Sequence, residues 1–138
     1  MFAGAAIFRN DQGTFSHVST KRFSYSDSLP GEVATLVWGA KSAQRLGLHN
    51  VVFLSDSVEA VNSVCWKRLQ GLSTSLHHNV QDLVSSFHDS ANQLGLWEAS
   101  WIPRRNNGVA HAVAKWALDA NQFGNIELSN FDSSLLTC

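Results

Sequence analysis

Residues 46–57 read LGLHNVVFLSDS, and this stretch decides the fold class. Its centre, residues 51–54, is a short β-branched and apolar block between Asn50 and Asp56, which is typical of a buried parallel strand. An acidic residue therefore follows the carboxyl end of the strand, where open α/β sheets collect their ligands. The stretch predicts an α/β domain with a candidate site at Asp56.

On the amino-terminal side of this stretch, the pattern predicts a hairpin followed by a helix. Phe2–Phe8 is short and apolar, Asn10–Gly13 has turn chemistry, and Thr14–Phe23 is rich in Thr, Val and aromatic residues. Apolar residues then recur at helical spacing from Val33 to Leu46, bounded by a proline and a glycine. Two strands and a long helix therefore precede the buried strand.

On the carboxyl-terminal side, helices alternate with one more strand. The pattern predicts helices over 58–69, 76–94 and 109–120, and a half-buried strand over 97–101. This order favours an α/β fold with a mixed sheet flanked by helices. Periodicity fades after Ala120, so we expect one domain over residues 1–120 and a poorly ordered tail over 121–138.

Composition limits the classes of function. The chain has 138 residues, of which 44% are hydrophobic and 15% charged, as suits one domain with a real core. Its formal net charge is -1, whereas domains that hold nucleic acid by bulk electrostatics are usually strongly basic. Any nucleic acid would therefore be held by a local basic patch or by bound metal ions.

The two cysteines indicate the compartment. Cys65 and Cys138 lack the spacing of a zinc site, so we expect free thiols in a reducing environment. The sequence has neither a signal-peptide block nor an apolar run long enough for a membrane span. We expect an intracellular protein, in the nucleus or the cytoplasm, and leave its oligomeric state open.

Three residues suit chemistry, and each also has a structural interpretation. Glu32 lies in the opening turn of the first long helix, where the helix dipole stabilises an acidic residue. Asp56 follows the buried strand and is a suitable N-cap for the helix that begins at Val58. His111 opens the last helix and suits a surface or packed position. Taken singly, none of the three identifies a site.

Taken together and in this order, four segments resemble one family. They are Gly4–Arg9 with its following turn, Glu32–Leu36, Leu46–Ser57 and Trp101–Lys115. Over residues 3–118 the chain resembles the ribonuclease H-like domains of the reverse-transcriptase-like group, which are abundant in plants and derived from retroelements. The resemblance implies a ribonuclease H-like mixed sheet flanked by helices.

The resemblance also implies a reaction and its residues. In the family, four carboxylates hold two Mg²⁺ ions that cleave the RNA strand of an RNA–DNA hybrid. Glu32 and Asp56 match two of these metal-binding and catalytic positions, with Mg²⁺, or else Mn²⁺, as the implied cofactor. His111 occupies the last carboxylate position, and imidazole is a poor ligand for Mg²⁺.

Residues around the last loop are candidates for nucleic-acid contact. Arg104, Arg105 and Asn107 precede the last helix, next to where a substrate phosphate lies by analogy. The alternative for the arginines is ordinary solvated charge on a turn. Four tryptophans, in contrast, fall on apolar faces and are assigned to the core rather than to base stacking: Trp66, Trp97, Trp101 and Trp116.

The family's first strand and its carboxylate have no counterpart in this sequence. In the family that strand is the centre of a five-stranded sheet and precedes the segment matched by Gly4–Arg9. A sheet without its centre has two unpaired inner edges. We therefore expect either that another strand fills the gap or that this chain is part of a longer protein. With two of four carboxylates matched, we expect impaired hydrolysis.

Three functions stay open at this point. The chain is a ribonuclease H-type domain that hydrolyses or recognises RNA–DNA hybrids, a catalytically inactive relative that binds nucleic acid or protein, or the remnant of a degenerate retroelement copy. A Ser55–His111–Asp56 triad is set aside, because no local motif supports nucleophilic catalysis by serine.

Overall fold

The computed structural model describes residues 2–70 and 78–128. The strands and helices, in chain order, are β1 (Phe2–Arg9), β2 (Phe15–Phe23), α1 (Ser28–Arg45), β3 (Val51–Ser55), α2 (Val58–Gln70), α3 (His78–Ala91), β4 (Trp97–Trp101), α4 (Gly108–Ala120) and β5 (Gly124–Ile126). Short 3₁₀ helices at Asn92–Leu94 and Arg104–Asn107 precede β4 and α4. Within these ranges, no helix combines the length and apolarity needed to cross a membrane.

The hairpin of β1 and β2 is confirmed, and its turn explains why it was predictable. The Asn10 side-chain oxygen accepts hydrogen bonds from the backbone N–H groups of Gln12 and Thr14, both at 3.0 Å. Gly13 has a φ of 80°, a conformation that costs glycine little. The local sequence therefore closes the turn without help from the rest of the fold.

Helix α1 lies directly against β1 because two glycines allow a close approach. A Cβ atom at Gly4 would lie 2.3 Å from the Thr35 hydroxyl oxygen, and one at Gly31 would lie 2.6 Å from the Phe2 ring. Only glycine fits at such separations. The start of β1 is thereby fixed on the start of α1.

Strands β3 and β4 pair in parallel, as residues 46–57 predict. The register runs from Val51 opposite Trp97 to Ser55 opposite Trp101. The interpretation of β3 as fully buried is wrong, because Val52 and Leu54 are 51% and 54% exposed. Alternate residues of β3 face the core, and the other face of the strand is left open to solvent.

The strands form two sheets instead of one. In the part of the chain that the structure describes, a three-stranded antiparallel sheet has the order β1-β2-β5, and a two-stranded sheet consists of β3 and β4. Each of β1 and β3 therefore has one edge without a strand partner among these residues.

Residues 121–128 differ from the expected disordered tail. Asn121 ends α4 in the left-handed conformation, with a φ of 54°, and the chain returns as β5 to pair with β2. The Thr20 hydroxyl donates a 2.7 Å hydrogen bond to the Gln122 carbonyl. A three-residue strand is too short to show alternation, so the sequence pattern did not predict it. Residues 129–138 lie outside the described chain.

Two apolar clusters cover different sheets. The larger packs α1, α2 and α3 against one face of the β3–β4 sheet, with Val84 and Phe87 fully buried. The smaller packs α4 against the hairpin through Val18, Val109 and Val113. The predicted helices over 58–69, 76–94 and 109–120 are confirmed where described; the expected start of the helix over 76–94 lies outside those residues.

Candidate functional site

Three separate elements bring Glu32, Asp56 and His111 together. Glu32 is in the second turn of α1, Asp56 directly follows β3, and His111 is in the first turn of α4. Nε2 of His111 lies 2.5 Å from Oδ2 of Asp56. The charges of both residues act on the Glu32 carboxyl group. The predicted catalytic residues therefore share one site at the carboxyl end of β3.

The alternative role proposed for Asp56, as the N-cap of α2, belongs to Ser57. The Ser57 hydroxyl oxygen accepts a 3.2 Å hydrogen bond from the backbone N–H of Ala60, as an N-cap residue does. The Ser55 hydroxyl in turn accepts a 3.1 Å hydrogen bond from the Ser57 N–H. Ser57 therefore caps α2, and the Asp56 carboxylate bonds to His111 instead.

The contact between Asp56 and His111 satisfies a carboxylate that is almost fully buried. The Asp56 side chain is 6% exposed and the His111 side chain 33%. A carboxylate withdrawn from water to this extent needs a hydrogen-bond donor, which the imidazole N–H supplies. The Trp101 indole N–H donates a 3.1 Å hydrogen bond to the Asp56 carbonyl oxygen, so both the side chain and the backbone of Asp56 are held.

Glu32 has a raised pKa. Burial is the main cause, and the negative charge of Asp56 raises the pKa of Glu32 further, while His111 and Arg104 act in the opposite direction. The alternative interpretation, stabilisation of the helix N-terminus, is not supported, because the first turn of α1 contains no acidic residue. The carboxyl groups of Glu32 and Asp56 are therefore held near each other, which makes the ionisation of Glu32 less favourable.

The donor set does not fit the two-ion centre that the resemblance implies. Among residues 2–70 and 78–128, no group of three or more His, Cys, Asp or Glu side chains is placed to hold a metal ion. One Asp56 oxygen is already bonded to an imidazole, whereas Mg²⁺ requires oxygen ligands in near-octahedral geometry. Binding of Mg²⁺ or Mn²⁺ at Glu32 and Asp56 therefore stays a prediction.

The residues predicted to contact nucleic acid lie beside this site. Arg104 and Arg105 are exposed on the 3₁₀ helix that leads into α4, and the charge of Arg104 is close enough to lower the pKa of Glu32. Asn107 is half-buried at the N-terminus of α4 and lines the adjacent cleft. Arg104 is thus close to Glu32, Asn107 lines the cleft, and the guanidinium groups of Arg104 and Arg105 are both accessible.

Trp101 is a residue of the site that the sequence pattern assigned wrongly. Its alternation with Trp97 and Ala99 placed it in the core, and Trp97 is indeed 6% exposed, but Trp101 is 50% exposed. Trp101 is the last residue of β4. It lies outside the aromatic cluster of Phe53, Phe87 and Trp97, and its indole contacts Asp56 instead. Trp116 is partly buried against the smaller cluster, and the side chain of Trp66 lies outside the described residues.

A cleft of about 820 Å³ extends from this site between β1 and β3. It is lined by residues of α1, including Glu32, Thr35 and Gly39, and by Asn107. Glu32 of the candidate site therefore faces this cleft.

Comparison with solved structures identifies the class of fold. The chain is similar to ribonuclease H1 from the halophilic archaeon Halobacterium salinarum NRC-1, with a TM-score of 0.76 and 16% identity over 86% of each chain. It is also similar to the N-terminal ribonuclease H domain of rv2228c from Mycobacterium tuberculosis, solved as a fusion protein with maltose binding protein. There the TM-score is 0.72 and the identity 20%, over 86% of this chain and 91% of that chain. The fold is therefore ribonuclease H-like.

Comparison with protein families identifies the family. A family model described as reverse transcriptase-like matches residues 3–117. This chain belongs to the reverse transcriptase-like family. No curated protein sequence matches the chain.

Proposed function

We propose that this domain binds RNA–DNA hybrids at the Glu32–Asp56–His111 site and that its hydrolytic activity is impaired. The observation that carries this proposal is the 2.5 Å contact between His111 and Asp56. It lies where the resemblance expects two metal-binding carboxylates. An imidazole that is hydrogen-bonded to a carboxylate oxygen competes with a hard cation such as Mg²⁺ for that oxygen.

The basic residues beside the acidic pair support nucleic acid as the ligand. Arg104 and Arg105 are both exposed next to the site, and a guanidinium group can bind a phosphate through two hydrogen bonds. The net charge of -1 means that binding depends on such local contacts rather than on the overall charge. An intracellular location and an origin from a plant retroelement belong to the same proposal.

Parallel assays of binding and cleavage test it. The full chain is titrated into a labelled RNA–DNA hybrid at several salt concentrations, and cleavage is measured with Mg²⁺ and then with Mn²⁺. We expect salt-dependent binding together with slow cleavage that the Glu32→Gln and Asp56→Asn variants abolish. Absence of hybrid binding by a well-folded sample would contradict the proposal, and rapid cleavage with Mg²⁺ would contradict the impairment.

The same contact also favours a second candidate, a catalytically inactive binding module. The His111→Asp variant separates the two, because it replaces the imidazole by the carboxylate that the family has there. If the site is an impaired nuclease, His111→Asp raises cleavage roughly tenfold or more, as expected when a partner of a metal ligand changes. If His111→Asp binds hybrid normally and cleaves no faster, the domain is a binding module. A chain that shows no cooperative unfolding would instead be a degenerate remnant.

A further inference from the structure

Two cationic side chains lie over one indole ring on the side of α1 that faces β2. Nζ of Lys21 is 5.1 Å from the centre of the Trp38 ring, and Cζ of Arg45 is 4.7 Å from it. Each contact is attractive, because a cation interacts with the negative face of an aromatic ring. The two positive charges around the same ring nevertheless repel each other. The pair therefore favours an anion that contacts both cations.

No acidic side chain of the described chain compensates these two charges. In residues 2–70 and 78–128, neither Lys21 nor Arg45 forms a salt bridge. Strand β2 contains no acidic residue, and the only acidic residue of α1 is Glu32, toward the opposite end of the helix from Arg45. Both cations are exposed. An anionic partner for them would therefore come from solution.

Two polar groups on the same face lack a hydrogen-bond partner. Ser19 is 3% exposed, and in the described part of the chain neither its hydroxyl oxygen nor the indole nitrogen of Trp38 has a partner. Ser19 lies opposite Ala6 in the hairpin, and Lys21 lies opposite Gly4. Since Ala6 and Gly4 both face α1, Ser19 and Lys21 face it as well. The unpaired donors and the cations therefore share one face, where an acceptor would satisfy both.

The two cations are the movable part of this face. Lysine and arginine side chains have many rotamers, whereas Trp38 is half-buried and Ser19 is buried. Arg45 donates a 3.1 Å hydrogen bond to the Ser42 hydroxyl, which leaves other N–H groups of its guanidinium for a ligand. An anion can thus bind at the surface between Lys21 and Arg45, and the unpaired donors become further partners for its oxygens once these side chains move.

The number of donors and charges favours a terminal phosphate over a carboxylate. A carboxylate has two acceptor oxygens and one charge, whereas a phosphate monoester has three strong acceptor oxygens and close to two charges. We propose that the face around Trp38 binds a terminal phosphate, either the free ion or a monoester, through Lys21 and Arg45. The four residues of this Trp38 patch are Ser19, Lys21, Trp38 and Arg45.

The Trp38 patch is separate from the candidate site. None of its residues lines the cleft between β1 and β3, and neither of its cations is among the charges that shift the pKa of Glu32. The inference therefore does not rest on the proposed function and requires neither an RNA–DNA hybrid nor a metal ion.

Titration of the full chain with sodium phosphate at neutral pH, followed by NMR, tests this proposal. The chain has five tryptophans, and the indole N–H signal of Trp38 is assigned from its loss in Trp38→Phe. We expect this signal to shift saturably with phosphate while NaCl keeps the ionic strength constant. The signal of Trp97, whose indole N–H is bonded to Asn92, should stay in place. The dependence of the Trp38 shift on phosphate concentration gives the Kd.

Variants with matched charge changes make the result specific. Lys21→Gln and Arg45→Gln should each raise the Kd for phosphate about tenfold or more, because each removes a charge-assisted hydrogen bond. Arg45→Lys keeps the charge but loses the planar fork of donors, so its loss should be smaller. Lys41→Gln removes the same charge from an exposed position of the same helix and should change the Kd by less than about twofold.

A short oligodeoxythymidine with a 5′-phosphate, and the same oligomer without it, identify the source of the phosphate. Tighter binding of the phosphorylated oligomer than of inorganic phosphate would support the proposal with the end of a nucleic acid as the source. Equal or weaker binding of the phosphorylated oligomer would support it with the free ion as the source.

Four results would overturn the proposal. One is a Trp38 shift no larger with phosphate than with NaCl, and another is equal weakening by Lys21→Gln and Lys41→Gln. The third is binding of the unphosphorylated oligomer, or of a peptide of glutamates, as tight as that of phosphate. The fourth is a shift of the Trp101 signal alone, which would place the phosphate at Arg104 and Arg105.

Discussion

The two sheets of this molecule contain similar apolar strands but differ in how they are covered. The β1–β2–β5 sheet lies between α1 and α4, and Val18 in its middle strand is 2% exposed. In the part of the chain that the structure describes, helices pack against one face of the β3–β4 sheet, and Val52 and Leu54 are about half exposed on the other. The candidate site lies at the end of the incompletely covered sheet. Burial is thus decided by the neighbours of a strand and not by its composition.

The largest expected effect concerns the single covered face of the β3–β4 sheet. Phe87 is fully buried there and makes edge-to-face contacts with Phe53 and Trp97, with ring centroids 5.0 and 5.1 Å apart. Phe87→Ala should lower the free energy of unfolding by about 3–5 kcal/mol, because it leaves a cavity in the apolar cluster that covers this sheet. Urea unfolding measures the loss. A loss below about 1 kcal/mol would mean that the sheet is supported elsewhere.

The next effect concerns the contact that joins the other sheet to α1. Gly4→Ala places a Cβ atom against Thr35 and should cost about 1–3 kcal/mol by overpacking. The double variant Gly4→Ala with Thr35→Ala removes most of the conflicting atoms and should recover much of this loss. If the double variant unfolds as easily as Gly4→Ala alone, the strain has another origin.

A smaller effect is expected at the basic residues of the site. Arg104→Ala and Arg105→Ala should each reduce the slope of log K against log salt for hybrid binding by about one, because each removes one phosphate contact. Lys41→Ala, at an exposed position of α1, is the matched control and should leave the slope unchanged. An unchanged slope in the arginine variants would place the nucleic acid elsewhere.

The smallest effect concerns the proton on Glu32. Because its pKa is raised in the folded state, ionisation of Glu32 opposes folding, so stability falls as the pH rises above the ordinary value of 4.5. Glu32→Gln should therefore raise the Tm at pH 7 and lose this advantage below about pH 4.5. Glu98→Gln, at an exposed position of β4, serves as the control. Equal Tm shifts in both variants at pH 7 would mean that ionisation of Glu32 does not itself lower the stability of the folded state.

The difference between the sheets also explains what the sequence could predict. The hairpin was predictable because Asn10 and Gly13 form its turn locally, and α1 was predictable from its apolar periodicity. The exposure of Leu54 was not, because it depends on which elements lie beside β3. The same holds for β5, whose pairing with β2 depends on the position of Asn121 after α4.

The site shows the same division. Glu32, Asp56 and His111 were named from their places in the chain, and the structure brings them together. Their contacts could not be predicted, because the bond between Asp56 and His111 joins residues from different elements. Trp101 was misplaced for the same reason, since alternation gives the face of a strand but not the point where the covering core ends.

The pairing of β3 with β4 has a consequence for the order of folding. The hairpin closes over a four-residue turn, and hairpins form within about 1–10 μs. The register of Val51 with Trp97 instead requires two helices to be looped out first, and closing long loops slows folding. We expect the hairpin to form early and the parallel pair late. The residues of the site would then be the last part of the described chain to assemble.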